Sequence, residues 1–226
     1  MLPGIAPACC QTMLKVRLAK DLPGKRAQGL MASSARRAVL MEETPAHAVN
    51  AAVLVLLKPA EEKTKQKNLL EWKVLLIRRN EYPGAHSGQI AFPGGRYEDK
   101  DVNLWETACR ETFEEVGIPP DCLEKAGPLT NLYIPASNFL IHPFAATCVT
   151  AAKIKPDPRE VADYKEVPIK VFDPAKAALR DFVRADGTRS PSPSWLYDDY
   201  TIWGATAMIL AELYQCICED VLVLKL

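Results

Sequence analysis

FPGGRYEDKDVNLWETACRETFEEVGI, running from Phe92 to Ile118, is the stretch that decides how the rest of the chain reads. Its core is Arg110-Glu111-Thr112-Phe113-Glu114-Glu115-Val116-Gly117-Ile118. Residues three and four apart share one helix face, so Glu111, Glu114 and Glu115 crowd their carboxylates onto a single strip. Like charges at that spacing weaken an isolated helix. A hard divalent cation reverses the sign, because Mg²⁺ favours carboxylate oxygens, water and substrate phosphates. Gly117 supplies a C-cap, and Pro119 and Pro120 stop the helix just beyond it. Upstream, Pro93-Gly94-Gly95 gives a backbone able to turn tightly and approach a neighbour closely. The spacing predicts a helix between Asn103 and Val116.

Working outward, Ala48–Leu57 (AVNAAVLVLL) is a nearly continuous apolar run, suited to a strand buried on both faces. Trp72–Arg79 (WKVLLIRR) reads as the next strand, and Gln89–Phe92 as a short one leading into the double glycine. Beyond the helix, Leu129–Ile134 and Phe139–Val149 read as strands joined by Pro135-Ala136-Ser137-Asn138. Glu160–Glu166 reads as a short helix or turn, Pro174–Leu179 as another short helix, and Phe182–Trp195 as a loop or hairpin through Asp186-Gly187-Thr188. Trp203–Cys216 is an apolar packing helix. Residues 1–45, with helical spacing over Gln11–Lys20 and Ala27–Leu40, form an N-terminal helical extension to a domain spanning 46–226.

The 226 residues suit one large α/β domain. With 28 basic and 28 acidic side chains the formal net charge is zero, so no nucleic-acid surface is advertised. No apolar run approaches the roughly 20 residues of a membrane helix, and no signal peptide is evident. Seven cysteines without a framework of spacings point to reduced thiols and a cytoplasmic setting. No Gly-x-Ser-x-Gly elbow occurs, and three histidines leave few candidates for nucleophilic catalysis. His142 reads as structural.

The stretch 92–118 resembles the Nudix box, G-x5-E-x7-R-E-U-x-E-E-x-G-U with U apolar. The match runs through Gly95, Arg110, Glu111, Glu114, Glu115, Gly117 and Ile118. Thr112 stands at an apolar position. Asp101 stands at the first acid, with eight residues instead of seven before Arg110, and Glu98 is a rival for its role. The resemblance implies a Nudix-type α/β/α sandwich with a mixed sheet. It also implies Mg²⁺ or Mn²⁺ held by Glu111, Glu114, Glu115 and the Gly95 carbonyl, and hydrolysis of a diphosphate linkage. Arg110 carries the orienting role of the family arginine. Glu114 or Glu160, with Glu166 behind, is the candidate base, and hydroxide on the metal is the alternative to any side chain.

Leu75–Gly95 resembles the extra signature of the coenzyme A pyrophosphatase branch, L-L-T-x-R-S-x-x-L-R-x-x-x-G-x-V-x-F-P-G-G. It matches in register at Leu75, Leu76, Arg79, Gly88, Ile90, Phe92, Pro93, Gly94 and Gly95. Ile77 and Asn80 replace its Thr and Ser, and Pro83-Gly84 replaces its Leu-Arg. The branch implies cleavage of coenzyme A or an acyl form to 3′,5′-ADP and 4′-phosphopantetheine. Arg78 and Arg79 are the first candidates for a cation facing the 3′-phosphate, with Arg96 behind them, and His86 is a candidate substrate contact. Another nucleoside diphosphate derivative such as ADP-ribose is the competing substrate. A nucleotide-sensing module without turnover is the competing class, disfavoured by the intact carboxylates. The partner is a small nucleoside diphosphate, with neither nucleic acid nor membrane; a homodimer stays open.

Overall fold

The central strand alternates as its sequence demands. Ala52, Leu54 and Leu56 face one apolar cluster, while Ala51, Val55 and Leu57 face another, and all are buried. A strand buried on both sides needs helices on both sides. The computed structural model, describing residues 7–59, 68–81, 87–148, 152–183, 187 and 189–223, supplies them. In chain order the helices are α1 (Pro7–Leu18), α2 (Gly24–Gln28), α3 (Ser34–Val39), α4 (Leu104–Val116) and α5 (Gly204–Val223). The strands are β1 (Val49–Lys58), β2 (Lys73–Arg79), β3 (Ile90–Ala91), β4 (Gly94–Arg96), β5 (Leu123–Pro128), β6 (Leu132–Ile134), β7 (Phe139–Cys148), β8 (Val161–Pro168), β9 (Ala178–Val183), β10 (Arg189–Tyr197) and β11 (Tyr200–Trp203).

The main sheet is mixed. β1 runs parallel to β7, from Val49 opposite Phe139 to Leu57 opposite Thr147. On its other side β1 divides between two antiparallel partners, β4 at Ala51–Val53 and β2 at Leu57–Lys58. β3 and β8 pair with β2, and β5 and β6 pair with β7. The split of β1 drives the Pro-Gly-Gly turn against its backbone. A Cβ on Gly94, at φ 152°, would lie 2.4 Å from the Ala52 carbonyl oxygen, so only glycine fits. α4 covers one face of the sheet through Ala108 and Val116. α1 and α5 cover the other through Cys10, Leu14, Leu18 and the Ala207–Ala211 turn. The result is an α/β/α layering around a mixed sheet.

Three elements depart from the sequence reading. Within Glu160–Glu166 the expected turn is confined to Glu160: β8 occupies Val161–Pro168, an edge strand whose buried Val161 and Val167 sit among charges that hid the alternation. β5 (LEKAGP) was unforeseen because it too is a polar edge strand, closing on β7. Pro174 begins only a 3-10 turn, Pro174–Lys176, before β9 starts at Ala178, so the short helix expected to Leu179 is absent. The expected hairpin is present, with Val183 opposite Arg189. Residues from the N-terminal helices join the same core as α5. Gln28, fully buried, donates to Glu212 Oε2 at 2.8 Å and to the Thr130 carbonyl at 2.9 Å. Among the described residues, no helix is long and apolar enough to cross a membrane.

Candidate active site

α4 starts and stops where its own residues dictate. Asn103 Oδ1 accepts the Glu106 N–H at 3.1 Å, and Glu106 Oε2 reaches back to the Val102 N–H at 3.1 Å. This reciprocal arrangement satisfies donors that a helix N-terminus leaves open. Gly117 ends the helix at φ 70°, its N–H on the Phe113 carbonyl at 2.9 Å. The remaining C-terminal carbonyls are taken from outside. Lys155 N–H donates to Val116 and Asp157 N–H to Glu115, both at 2.9 Å. Thr112 is tolerated on the buried face because its hydroxyl donates to the Ala108 carbonyl at 2.7 Å.

Asp101, not Glu98, anchors the arginine. Arg110 Nε and Nη2 grip its carboxylate at 2.8 and 3.0 Å, while Glu98 comes no closer than 3.9 Å to Arg110 Nη1. Thr107 Oγ1 and the Glu98 N–H add two more donors to Asp101, at 2.9 and 3.1 Å. The hydrogen bonds from Arg110 dominate in holding this acid far below the ordinary carboxylate range, and Asp101 in turn raises the arginine. Arg110 Nη2 also donates to the Arg96 carbonyl at 3.1 Å, tying the helix to the glycine turn. Arg110 also stays on the carboxylate strip, its Nη1 bridging Glu111 Oε1 at 2.7 Å and Glu114 Oε2 at 2.9 Å.

The three glutamates form a gradient of burial: the side chain of Glu115 is 2% exposed, Glu111 14% and Glu114 44%. Glu115 Oε2 accepts the Gly94 N–H at 2.9 Å, and its Oε1 lies 3.8 Å from Arg79 Nη1. Burial pushes Glu115 up to about 8, against the pull of that N–H and Arg79, with Glu111 and Glu160 adding repulsion. Glu111 is raised as well, chiefly by burial, opposed by Arg110 and reinforced by Glu114 and Glu160. A Cβ on Gly95 would fall 2.5–2.6 Å from the Glu111 carboxylate atoms, so the missing side chain makes room for that group. Buried carboxylates that repel one another in an all-oxygen cradle fit a hard divalent cation. Among the described residues no three His, Cys, Asp or Glu side chains yet converge on one metal-sized point. Arg110 Nη1 lies between Glu111 and Glu114 and bonds both.

Glu160 is exposed and sits close enough to raise both Glu111 and Glu115. The loop before β8 places it there: its carbonyl accepts the Asn80 N–H at 3.2 Å, and Asn80 Nδ2 donates to the Pro158 carbonyl at 3.0 Å. Glu166 is carried away along β8 to a position opposite Leu75, where it pairs with Lys58 at 2.6 Å. The arginines of β2 part company. Arg79 turns to Glu115, whereas Arg78 meets Asp199 and stacks on Tyr200, with a register shift in the β2–β8 ladder between them. Arg96 is exposed and joins the site through its backbone. His86 and the Pro83-Gly84 pair lie outside the described residues. His142 bonds Asn50 Oδ1 at 2.9 Å. Sequence reasoning named Glu160 but missed Lys155 and Asp157, which contribute through backbone N–H groups that no side-chain pattern announces.

The NUDIX domain family matches residues 48–186, which takes in the whole of this site. The chain belongs to that family. Its relatives include two bacterial proteins described as the uncharacterized Nudix hydrolase NudL. The one from Pectobacterium atrosepticum is 35% identical over 144 residues, covering 62% of this chain and 72% of its own. The one from Klebsiella pneumoniae is 32% identical over 182 residues, covering 77% and 88%. Among solved structures, the Nudix hydrolase RenU from M. smegmatis superposes with a TM-score of 0.45 at 19% identity, covering 79% of this chain and 89% of that one.

Proposed function

We propose that this Nudix hydrolase cleaves the diphosphate linkage of coenzyme A or an acyl-coenzyme A, giving 3′,5′-ADP and 4′-phosphopantetheine or its acyl form. The observation that carries the diphosphatase reading is the apposition of Glu111 and Glu115 to the Gly94-Gly95 turn, a half-buried and a buried acid with raised proton affinity against a turn that only glycine permits. The coenzyme A reading rests on the in-register signature from Leu75 to Gly95.

Glu111, Glu114, Glu115 and the Gly95 carbonyl would hold Mg²⁺ or Mn²⁺. When bound, the metal supplies neutralisation of the diphosphate oxygens and acidifies the attacking water. The chain's own residues do the rest. Asp101 fixes Arg110, which sets the spacing between helix and glycine turn. Arg79, beside Glu115, offers its guanidinium to a phosphate oxygen. Either Glu114 or Glu160, the more exposed acids, accepts the single proton that water releases as its oxygen forms the new P–O bond and the bridging P–O bond breaks, the leaving phosphate departing with that bond's electron pair.

A second reading has a specific observation behind it. Both candidate cations for the 3′-phosphate already face acids, Arg78 on Asp199 and Arg79 near Glu115. A substrate without that phosphate, such as ADP-ribose, needs neither arginine released. The deciding experiment compares kcat/KM for coenzyme A, dephospho-coenzyme A, ADP-ribose and NADH with Mg²⁺ present. A preference for coenzyme A sustains the proposal; a preference for ADP-ribose ends it and leaves a general nucleoside diphosphate hydrolase.

A further inference from the structure

The tip of the β10–β11 hairpin, a two-residue turn between Tyr197 and Tyr200, does more than reverse the chain. Asp198 adopts φ 51° there, which presents two consecutive acids outward. Asp199 places its two carboxylate oxygens on two different cations of the main sheet: Oδ2 contacts Arg78 Nη2, and Oδ1 lies 2.7 Å from Lys165 Nζ. Asp198 Oδ2 lies 3.3 Å from the same ammonium. Both cations sit over the ring of buried Tyr200, Arg78 at 4.8 Å from its centroid and Lys165 at 5.2 Å. Arg78 and Lys165 come from neighbouring strands, since Lys165 is opposite Leu76, two residues before Arg78. Asp163, opposite Arg78, is the acid that comes beside the Tyr200 hydroxyl, with Asp199 acting on it from further off.

This is a two-cation seat on an aromatic floor, and its present occupant is a carboxylate on an exposed turn. We infer that the seat formed by Arg78, Lys165 and Tyr200 is a binding site for a phosphate monoester group, with the Asp199 carboxylate as its internal stand-in. A phosphate monoester carries close to two negative charges and three acceptor oxygens, so it bridges the same two donors with more charge than a carboxylate. Asp199 is held by Lys165 first and by Arg78 as well, which lowers it to about 2, so it is fully ionised when a ligand competes. Its side chain is 58% exposed, and leaving costs it little burial. Tyr200 cannot act as a competing anion, because burial raises its hydroxyl. Arg78 shares the face of Val74 and Leu76, and Arg79 that of Leu75 and Ile77 against α4, so the seat and the proposed site of diphosphate cleavage lie at the same end of β2 but on opposite faces, and a ligand filling both wraps around that strand end. The inference rests on the coenzyme A reading for the identity of the phosphate: the 3′-phosphate would exchange with Asp199.

Calorimetry tests it without relying on turnover. Titrate the full chain, Asp199→Asn and Lys165→Met with adenosine 3′,5′-bisphosphate, with 5′-AMP and with inorganic phosphate. The bisphosphate should bind the unaltered chain more tightly than AMP by about tenfold, the order of one charge-assisted contact. Asp199→Asn should widen that ratio by roughly another tenfold by removing the competitor, and Lys165→Met should collapse it towards one. Inorganic phosphate should compete with the bisphosphate in Asp199→Asn and fail to compete in Lys165→Met. If neither substitution moves the ratio, the cluster is only a clasp between sheets and the inference is overturned. Lys165→Met guards against an Asp199 variant that folds poorly, and a thermal melt of each identifies that case. Should the ratios behave as described while coenzyme A is not hydrolysed, the seat stands and the coenzyme A reading alone falls.

Discussion

Asp101→Asn removes one charge and nothing else of consequence in shape. The acid is buried and receives four hydrogen bonds, two from Arg110 at 2.8 and 3.0 Å, one from Thr107 at 2.9 Å and one from the Glu98 N–H at 3.1 Å. An amide in its place keeps one acceptor and turns a donor towards the guanidinium. Breaking a buried ion pair from one side costs about 3–5 kcal/mol. Arg110 retains Glu111, Glu114 and the Arg96 carbonyl, so the low end applies, about 3 kcal/mol. For a chain of this size that lowers Tm by roughly 6–12 °C. The assay is urea unfolding of the metal-free protein across a pH series. Asp101 is depressed in the fold, so its contribution is complete above its unfolded value of about 3.9 and is lost as pH falls through the folded value. The gap between parent and variant should stay flat from about pH 8 to 5 and narrow progressively below about pH 4. A destabilisation below about 0.5 kcal/mol, or a gap that does not narrow in acid, would refute the clamp.

Further outcomes follow from the same geometry. Asp101→Glu, although it restores the acid usual in the box, should cost about 1–3 kcal/mol, because the side chain is 3% exposed and has no room for another methylene. Gly95→Ala should lower kcat by about a hundredfold with the fold intact on circular dichroism, since its Cβ would displace the Glu111 carboxylate from 2.5 Å. Glu115→Gln should abolish most turnover, and kinetics at saturating Mg²⁺ that match the parent would exclude the proposed ligand set. In metal-free protein the same substitution should remove a pH dependence. Glu115 is raised to about 8, so the native state binds the extra proton, and stability falls as pH climbs from its unfolded value of about 4.3 to about 8. A parent protein whose metal-free stability is level across that window would contradict the burial argument.

The fold was most legible where a strand or helix is buried on a full face. β1 showed as a continuous apolar run because both its faces are covered, and α4 showed because its caps, carboxylate strip and glycine stop all agree. β5 and β8 did not show, because an edge strand with one solvated face carries charges that break the alternation. In the candidate site, the shared face of Glu111 and Glu115 followed from spacing and Gly95 from the resemblance to the Nudix box, whereas the choice of Asp101 over Glu98 depended on how a loop one residue longer folds back. Arg78 and Arg79 looked equivalent in sequence. The turn of the strand sends one to Glu115 and the other to Asp199, and Asp199 is too far along the chain for any local pattern to reveal.

The parallel pairing of β1 with β7 has a consequence for how the chain is made. Val49 and its partner Phe139 lie 90 positions apart in the chain, and that edge of β1 is covered by β7. Until the ribosome has released residues up to Cys148, the most apolar strand of the protein must wait beside antiparallel neighbours that cover only its other edge. Its second face waits longer still, for α5, which emerges after β7 and receives α1 and α2 against it, with Arg17 on the Ile217 carbonyl and Gln28 on Glu212. Loop closure over such separations is slow. The nascent chain therefore carries a sticky centre through much of its synthesis, and its demand on chaperones should fall only once α5 is free.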